Sequence, residues 1–300
     1  MSICLGMTMV ELSTNQVEEI LKGIKVPPQP QIMVDLQMEQ AMPEPDMNQI
    51  ADLISRDVGL SGTLLKTVNS PLYGLANKIT SVHQTVNILG MNSVVNIVNG
   101  ISIKSALSDD KVRALTRFWD SAMDIAMIAT TVAKKVKYTS PDNAYALGLF
   151  HNVGIPILME RFENYLGYML GGYASHNERV IDFENQQLSC NHAVVGYYTA
   201  KSWHLPKVLC EVIAEHHSSQ DVFTAKKVEK NEKNTLLAIL KLSEHIAGLY
   251  IILGQQSVDY EWNKIEGDVL EYLGINDYDL DTLKSTFADM GMCPTNYGHM

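Results

Sequence analysis

The chain has 300 residues, 46% of them hydrophobic, and its 34 Asp and Glu outnumber its 23 Lys and Arg to give a net charge of −11. This composition is typical of a globular protein with enough apolar residues for a core, and it excludes a disordered or collagen-like chain. The acidic balance disfavours a nucleic-acid partner, because a phosphate backbone would be repelled unless positive charge were locally concentrated.

Cysteine usage and the N-terminus bear on location. Cys4, Cys190, Cys210 and Cys293 are far apart and form no C-x-x-C pair, so neither a disulfide framework nor a thiolate zinc knuckle is predicted. The first residues lack the basic segment of a signal peptide, and no uncharged apolar window has the length that a bilayer crossing needs. The sequence therefore predicts a cytoplasmic protein with no membrane partner.

Apolar residues recur at helical spacing along nearly the whole chain, as at Ile50, Leu53 and Ile54. This pattern predicts an all-α fold. Helix starts agree with it: Asp46-x-x-Gln49 resembles a capping box, and Ser140-Pro141 places a proline where the first helical turn tolerates it.

The chain is predicted to form two helical lobes that pack together. Short helices with proline-rich joints fill an N-terminal lobe over residues 1–107, and longer helices fill a second lobe over residues 108–253, with the boundary at the turn Ser108–Asp110. An acidic helical extension follows over residues 254–300. The charged stretch Ser218–Asn234 is predicted to be a solvated loop.

Several glycines fall inside helical patterns, where glycine costs about 1 kcal/mol relative to alanine. We interpret them as sites where helices cross closely. They are Gly100, Gly148, Gly196 and Gly248. The apolar segment Ile246–Leu253 is predicted to be a buried helix.

The C-terminal extension is strongly acidic. From Gln255 to Asp289 it carries nine acidic residues against Lys264 and Lys284, which indicates an acidic helical face or a partner surface. The run Asp277–Asp281 resembles the start of a calcium loop, but Thr282 stands where that loop needs glycine. Helix capping is therefore the better interpretation.

Histidines in the second lobe are the candidates for chemistry. His151, His192 and the pair His216-His217 each lie in or beside an apolar helical segment. Imidazoles from separate helices can together bind a transition metal, which lowers the pKa of a bound water. The alternative is that each is a hydrogen-bonded residue of the core or its rim, the commoner case for any single histidine. The other histidines are predicted to be structural or solvent-facing: His83, His176, His204, His245 and His299.

Several segments, taken together with these histidines, resemble a known family. The most specific is Asn69-Ser70-Pro71-Leu72-Tyr73-Gly74. The others are Val26–Pro30, Ile54–Leu60, Leu64–Val68, Ile79–Gly90, Phe118-Trp119, Gly148–Gly154, His192–Gly196, Trp203–Pro206 and His216-His217. These segments closely resemble HDOD (HD-related output) domains, over roughly residues 18–252.

The resemblance implies a second lobe similar to the HD phosphohydrolases, in which histidines and aspartates hold divalent metals for phosphoester hydrolysis. The His-Asp doublet of those enzymes falls here on His151-Asn152, and their earlier metal-binding histidine falls on Ser121. Their late aspartate falls on Glu244, which keeps a carboxylate. An amide and a hydroxyl are weaker ligands, so the resemblance implies a degenerate centre.

Relatives that cleave cyclic di-GMP share His192 and His216-His217, but their Gly-Tyr-Pro is replaced here by Ser218-Ser219-Gln220. Hydrolysis of cyclic dinucleotides is therefore disfavoured. The retained ligand types suit one borderline metal such as iron, zinc or manganese. The retained residues are His151, His192, His216, His217 and Glu244.

Three functions remain open at this point. The resemblance favours a non-catalytic signal-transduction protein of the bacterial type, which uses a degenerate phosphohydrolase fold to bind other signalling proteins or a ligand. The alternatives are a metal-dependent phosphohydrolase acting on a nucleotide or phosphodiester, and a structural helical scaffold. Asn69 and Tyr73 belong either to a helix end and turn or to a groove between the lobes where a partner peptide or ligand docks. The acidic extension is a second candidate contact surface.

Overall fold

The computed structural model describes residues 23–24, 31–56, 58–70, 73–105 and 116–292. All regular secondary structure within these ranges is helical. The all-α prediction is confirmed. Within the same ranges, no helix is long and apolar enough to cross a membrane. The α-helices are α1 Gln31–Gln40, α2 Met47–Ser55, α3 Val58–Val68, α4 Val82–Leu89, α5 Met91–Ser105, α6 Thr116–Lys135, α7 Pro141–Phe150, α8 Gly154–Arg161, α9 Tyr165–Ala174, α10 Val180–Leu188, α11 His192–Ser202, α12 Lys207–Glu215, α13 Ser219–Phe223, α14 Glu232–Ala247, α15 Leu249–Ile252, α16 Glu266–Leu273 and α17 Asp277–Asp289.

Local signals set several of the helix starts. The Asp46 carboxylate accepts a hydrogen bond from the Asn48 amide and caps α2, and Pro141 is the first residue of α7. The acidic run at Asp277 opens α17, with Asn276 and Asp279 forming a reciprocal capping box. Capping, the interpretation preferred over a calcium loop, is thus confirmed.

Helix α14 lies at the centre of the C-terminal half. Almost all of its residues from Leu236 to Ala247 are buried, because it packs against α6, α7, α12 and α16. A helix that is apolar around its whole circumference is expected in such a position. Its few polar residues are therefore held inside the protein and need partners there.

The N-terminal helices α1 to α5 pack on one another, and α5 joins them to α7. Ser93 and Asn96 of α5 both donate hydrogen bonds to Asp142, at 2.9 Å each. The buried apolar side chains form one continuous cluster from Ile24 to Met292. The predicted boundary at Ser108–Asp110 lies outside the described residues, so the division into two lobes and an extension stays a prediction.

The glycines divide into two kinds. A Cβ on Gly148 would lie 2.7 Å from the Ala126 Cα, and one on Gly196 would lie 3.0 Å from Ile213 Cγ2, so close helix crossing is confirmed at both. The interpretation of Gly248 was wrong: it ends α14 with φ +70°, a conformation that glycine adopts without strain. The apolar segment Ile246–Leu253 is consequently split between α14 and α15.

The charged stretch Ser218–Asn234 is not a single loop. Its first part forms the short helix α13, whose Phe223 is buried, and Asn231 caps the start of α14 through the Asn234 amide. The loop prediction was wrong at both ends, because apolar burial and a cap decide the structure there despite the many lysines between them.

Stability is expected to depend on pH through Asp124 of α6. Burial and the neighbouring Asp120 raise its pKa from 3.8 to about 7, against a smaller opposing effect of Lys66. The unfolded chain loses this proton near pH 4 and the folded chain near pH 7, so stability falls across that interval and is level above it. The shift corresponds to about 4 kcal/mol, which partial exposure reduces to about 1–2 kcal/mol.

Asp124→Asn is therefore expected to unfold at higher urea concentration than the parent at pH 8 and to show a flatter pH profile. Asp281→Asn, at an exposed carboxylate of α17, is the matched control. It should change neither the urea concentration at which the protein unfolds nor the pH profile of stability. A parent protein that is equally stable at pH 5 and pH 8 would contradict the expectation.

Candidate metal centre

Three histidine side chains meet at one point in the interior. His192 is the first residue of α11, where Asn191 caps the helix, and His216 and His217 form a 3-10 turn directly after α12. The Nε2 atom of His192 lies 3.3 Å from that of His216 and 3.0 Å from that of His217. All three rings are at least 96% buried. We call these three residues the histidine triad.

Hydrogen bonds on the far side of each ring fix its orientation. Nδ1 of His192 donates to Glu184 at 2.8 Å, Nδ1 of His216 donates to the Ile213 carbonyl at 2.7 Å, and Nδ1 of His217 donates to Glu261 at 3.1 Å. In a neutral imidazole the proton then sits on Nδ1 and the lone pair on Nε2. Three lone pairs therefore face one another.

The neutral form is favoured at two of the three positions. Burial lowers the pKa of His216 well below its ordinary value, and the neighbouring histidines and Lys241 lower it further. Burial also lowers the pKa of His217, although Glu261 opposes this effect. Lone pairs that face one another cannot hydrogen-bond, so a cation between them would satisfy all three at once.

The triad fits a transition metal by this criterion. Nitrogen atoms bound to one tetrahedral zinc at about 2.0–2.1 Å lie about 3.3 Å from each other, close to the distances in the triad. Metal-bound histidines also usually donate their second nitrogen to a carboxylate or a backbone carbonyl, as all three do here. A metal held by three imidazoles would keep a fourth position for water or a ligand.

The remaining predicted ligands lie beside the triad. The His151 ring contacts the His216 ring with a centroid distance of 5.6 Å, and its Nδ1 donates to the Gly148 carbonyl at 2.8 Å. His151 Nε2 lies 3.2 Å from Glu244 Oε1, but within the described part of the chain neither atom has a partner with hydrogen-bond geometry. Of the five predicted ligands, the structure thus gathers three into one cluster and pairs the other two next to it.

The two degenerate positions are both buried. The Ser121 hydroxyl donates to the Phe118 carbonyl of its own helix at 2.8 Å. The Asn152 side chain is 2% exposed, and no described residue forms a hydrogen bond with its amide nitrogen or its oxygen. Asn152 is therefore a buried polar group for which a bound water or ion would supply the missing contacts.

Carboxylates and one lysine surround the triad. Glu184 is fully buried and also accepts hydrogen bonds from the Tyr165 hydroxyl and the His192 backbone amide. Lys241 is buried on α14, with its ammonium 2.5 Å from Glu244 Oε2 and 3.0 Å from Glu261 Oε1. The Ser219 hydroxyl donates to the same Glu261 oxygen at 3.0 Å.

The charges in this network stabilise one another. Burial alone would raise the pKa of each carboxylate, but Lys241 holds the pKa values of Glu244 and Glu261 below their ordinary range, and His192 does so for Glu184. Conversely, Glu244 and Glu261 raise the pKa of Lys241 in spite of its burial. These interactions favour the charged form of all four groups.

A cleft connects the centre to the surface. His217, Lys241 and Glu244 lie at its inner end, and Tyr173, Tyr250 and Trp262 are among the residues of its wall, with a cavity volume of about 70 Å³. This volume admits several waters, but it is well below the roughly 300 Å³ of the smallest usual ligand pockets. The opening is suited to solvent or a small ion in this conformation.

A family model described as HDOD domain matches residues 26–219. The chain belongs to the HDOD domain family. The matched segment contains the whole triad and Glu184, whereas Lys241, Glu244 and Glu261 lie beyond its end. The HDOD match therefore covers the histidine triad but not the lysine and the two carboxylates packed against it.

Solved structures share the fold of this HDOD protein. An HDOD domain protein with unknown function from Geobacter sulfurreducens is 22% identical with a TM-score of 0.65, covering 92% of this chain and 93% of the other. A "Putative phosphohydrolase" from Shewanella amazonensis is 20% identical with a TM-score of 0.65, covering 95% and 96%. A "Putative signal transduction protein" from Marinobacter aquaeolei is 19% identical with a TM-score of 0.60, covering 93% and 64%.

An uncharacterized protein from Treponema pallidum is 25% identical over 196 residues, which are 64% of this chain and 38% of the relative. An uncharacterized protein, YuxH, from Bacillus subtilis is 26% identical over 116 residues, or 39% of this chain and 28% of the relative. The matches thus span well under half the length of these relatives.

Sequence reasoning missed three of the charged residues that surround the histidine triad. Glu184 lies on α10, eight residues before His192, and no spacing rule relates the two. Glu261 was counted within the acidic extension, but it turns inward to His217. Lys241 carried a usable signal, because a lysine inside the apolar run Leu236–Leu242 has to find a buried counter-charge.

The other singled-out residues are engaged elsewhere in the HDOD fold. The Asn69 side chain bonds the Leu65 carbonyl at 2.8 Å and both the amide and the carbonyl of Ile79 at 2.7 Å, an arrangement that the turn interpretation predicts. Tyr73 is half-buried, and its pKa is raised by burial and by Asp142 of α7. His245 donates to Asp259 at 2.9 Å and stacks on Trp262, a structural role, and His299 lies outside the described residues.

Proposed function

We propose that this HDOD protein is a regulatory module whose histidine triad holds one divalent transition metal, and that it does not hydrolyse phosphoesters efficiently. The observation that carries the proposal is the triad itself, with three Nε2 atoms close together and a hydrogen-bond partner at each Nδ1 behind them. The candidate ions are zinc, iron and manganese, and which of them is bound depends on metal availability as well as on the ligands.

The charges around the triad support a single metal ion. Glu184, Glu244 and Glu261 carry three negative charges and Lys241 carries one positive charge, which leaves two negative charges uncompensated when the histidines are neutral. Buried charge is costly unless it is paired. One divalent ion at the triad would neutralise the network completely.

Three features support a regulatory rather than a hydrolytic role. Each of the three carboxylates is already tied to a histidine or to Lys241, so a general base for activating water would have to give up an existing ion pair. Two metal-ligand positions of active enzymes, which by resemblance fall on Ser121 and Asn152, offer a hydroxyl bonded to its own helix and an amide. The cleft is also small for a nucleotide.

A metal-dependent phosphohydrolase is the second candidate. The cleft lined by His217, Lys241 and Glu244 favours it, since it gives solvent and small molecules a route to that side of the triad. The name of the similar Shewanella protein points the same way. In this case the metal would supply an activated water to a small phosphoester.

Metal content tests the proposal. Protein purified without chelator or metal-binding tag is expected to contain about one equivalent of iron, zinc or manganese by elemental analysis, and His216→Ala is expected to contain less than about a tenth of that. His151→Ala is expected to keep the metal, because His151 lies outside the triad. His83→Ala, at an exposed histidine paired with Asp52, is the matched surface control.

A parent protein without metal would overturn the proposal. Loss of metal from His151→Ala would instead place His151 among the ligands and favour the wider set of the phosphohydrolase alternative. Assays of the metal-loaded protein against a phosphodiester and a panel of nucleotides decide between the two functions. Turnover that disappears in His216→Ala would establish the enzyme.

A regulatory role requires partners, and we infer that these are other signalling proteins with a basic face. Six of the nine acidic residues between Gln255 and Asp289 are exposed on or near α16 and α17: Glu266, Asp268, Glu271, Asp277, Asp281 and Asp289. Complementary charge steers such encounters and makes them sensitive to salt. Association with a cognate partner should weaken at high ionic strength and when Glu266, Asp268 and Glu271 are changed to lysine.

A further inference from the structure

Lys241 has an unusual environment for a lysine. Its side chain is 5% exposed, on the largely buried helix α14, and its ammonium bridges Glu244 and Glu261. These two carboxylates connect in turn to His151 and His217, so the ammonium lies at the middle of a His–Glu–Lys–Glu–His chain. Holding a long flexible side chain in one conformation costs conformational entropy, and burying its charge costs solvation. These costs indicate a role for Lys241 beyond packing.

The same chain contains an unsatisfied contact. His151 donates its Nδ1 proton to the Gly148 carbonyl, so in the neutral ring its Nε2 lone pair faces Glu244 Oε1 at 3.2 Å. Both atoms are buried, and neither has a hydrogen-bond partner among the residues that the structure describes. An imidazole nitrogen and a carboxylate oxygen aimed at one place form a donor pair for a cation such as Mn²⁺ or Fe²⁺.

We propose that the Lys241 ammonium takes the place of a second divalent cation beside the triad. The inference rests on the proposed function, since it assumes a metal at the triad. Glu244 and Glu261 are the carboxylates that a second metal would need, and the tethered ammonium already occupies them. Lys241 is thus a specificity-determining residue that sets the metal stoichiometry at one.

Charge explains why the second ion is excluded. With one divalent metal the three carboxylates and the ammonium are balanced, and a second divalent ion would leave two positive charges in the interior. Removing the ammonium changes this balance, because Glu244 and Glu261 would then lack a counter-charge. Glu244, Glu261 and His151 would supply two carboxylates and one imidazole, a ligand set that divalent manganese and iron accept.

The test is the metal stoichiometry of Lys241→Met, which removes the charge and keeps the length of the side chain. Metal-free parent and variant are titrated with Mn²⁺, and bound ion is counted by elemental analysis after gel filtration. We expect one equivalent in the parent and two in Lys241→Met. The double variant Lys241→Met/Glu244→Gln removes a ligand of the second ion and is expected to return to one.

Thermal unfolding gives a second readout. Mn²⁺ should raise the Tm of Lys241→Met by more than it raises the Tm of the parent, because the ion replaces a missing counter-charge. A variant that binds no more metal than the parent overturns the inference, and so does one that stays unfolded in excess Mn²⁺. A parent that binds no metal overturns the proposed function instead, while an added equivalent in the variant would still support the role of Lys241.

Discussion

Replacing Gly154 by alanine is expected to cost the fold about 3 kcal/mol or more and to disrupt the histidine triad. A Cβ at this position would lie 2.0 Å from the His192 carbonyl oxygen and 2.9 Å from the Gly196 amide nitrogen, both of them backbone atoms. Backbone cannot rotate away as a side chain can, so α8 and α11 would have to separate. Because His192 is the first residue of α11, the displacement would move a triad nitrogen.

Urea denaturation and metal content measure the two effects. Gly267→Ala is the matched control, since no atom of the described residues lies within 4 Å of a Cβ at Gly267, which is inside α16. It is expected to stabilise the protein by about 0.5–1 kcal/mol, the usual gain for alanine over glycine in a helix. A Gly154→Ala protein with parental stability and parental metal content would show that the two helices are less tightly packed than described.

The fold was predictable because its determinants are local. Helical spacing, the Asp46 cap and Pro141 at a helix start depend on residues within one turn of each other, and each was confirmed. Gly248 was misinterpreted because a glycine within a helix and a glycine ending one give the same pattern. Only the backbone angle of +70° distinguishes them.

The clustering of the three histidines was predictable from the sequence, and the residues that hydrogen-bond them were not. His192, His216 and His217 were found by chemical type and by the HDOD resemblance, since the fold brings α11 and the turn after α12 together. Glu261 reaches His217 from 44 residues away, and its sequence neighbours gave it the appearance of one more surface acid. Such pairing is set by tertiary packing, which periodicity does not encode.

Burial and charge together explain why this part of the acidic extension differs from the rest. Asp259 accepts a hydrogen bond from His245, and Glu261 forms an ion pair with Lys241. Both carboxylates therefore have partners on α14. The exposed acids of α16 and α17 have no such role within the described residues, and their charge is directed to solvent. The extension therefore completes the centre at one end and offers a charged surface at the other.

Glu184→Gln is expected to weaken metal binding at the triad by about 10- to 100-fold, the usual cost of losing a carboxylate behind a metal-bound histidine. The carboxylate receives hydrogen bonds from three donors: the Tyr165 hydroxyl, the His192 amide and His192 Nδ1. A glutamine has only one side-chain oxygen. Its NH₂ group would replace the second carboxylate oxygen and would face a hydrogen-bond donor, with which it cannot pair. His192 would lose both the charge that strengthens its Nε2 as a ligand and the contact that fixes its ring.

Competition with a metal-binding dye measures the affinity, and two variants separate charge from packing. Tyr165→Phe removes one donor and keeps the carboxylate, so its affinity should stay within a few-fold of the parent. Glu271→Gln, at an exposed residue of α16, should leave it unchanged. If Tyr165→Phe weakened binding as much as Glu184→Gln, the effect would come from packing around α9 and α10. A loss confined to Glu184→Gln would show that the buried charge itself holds His192 in its metal-binding form.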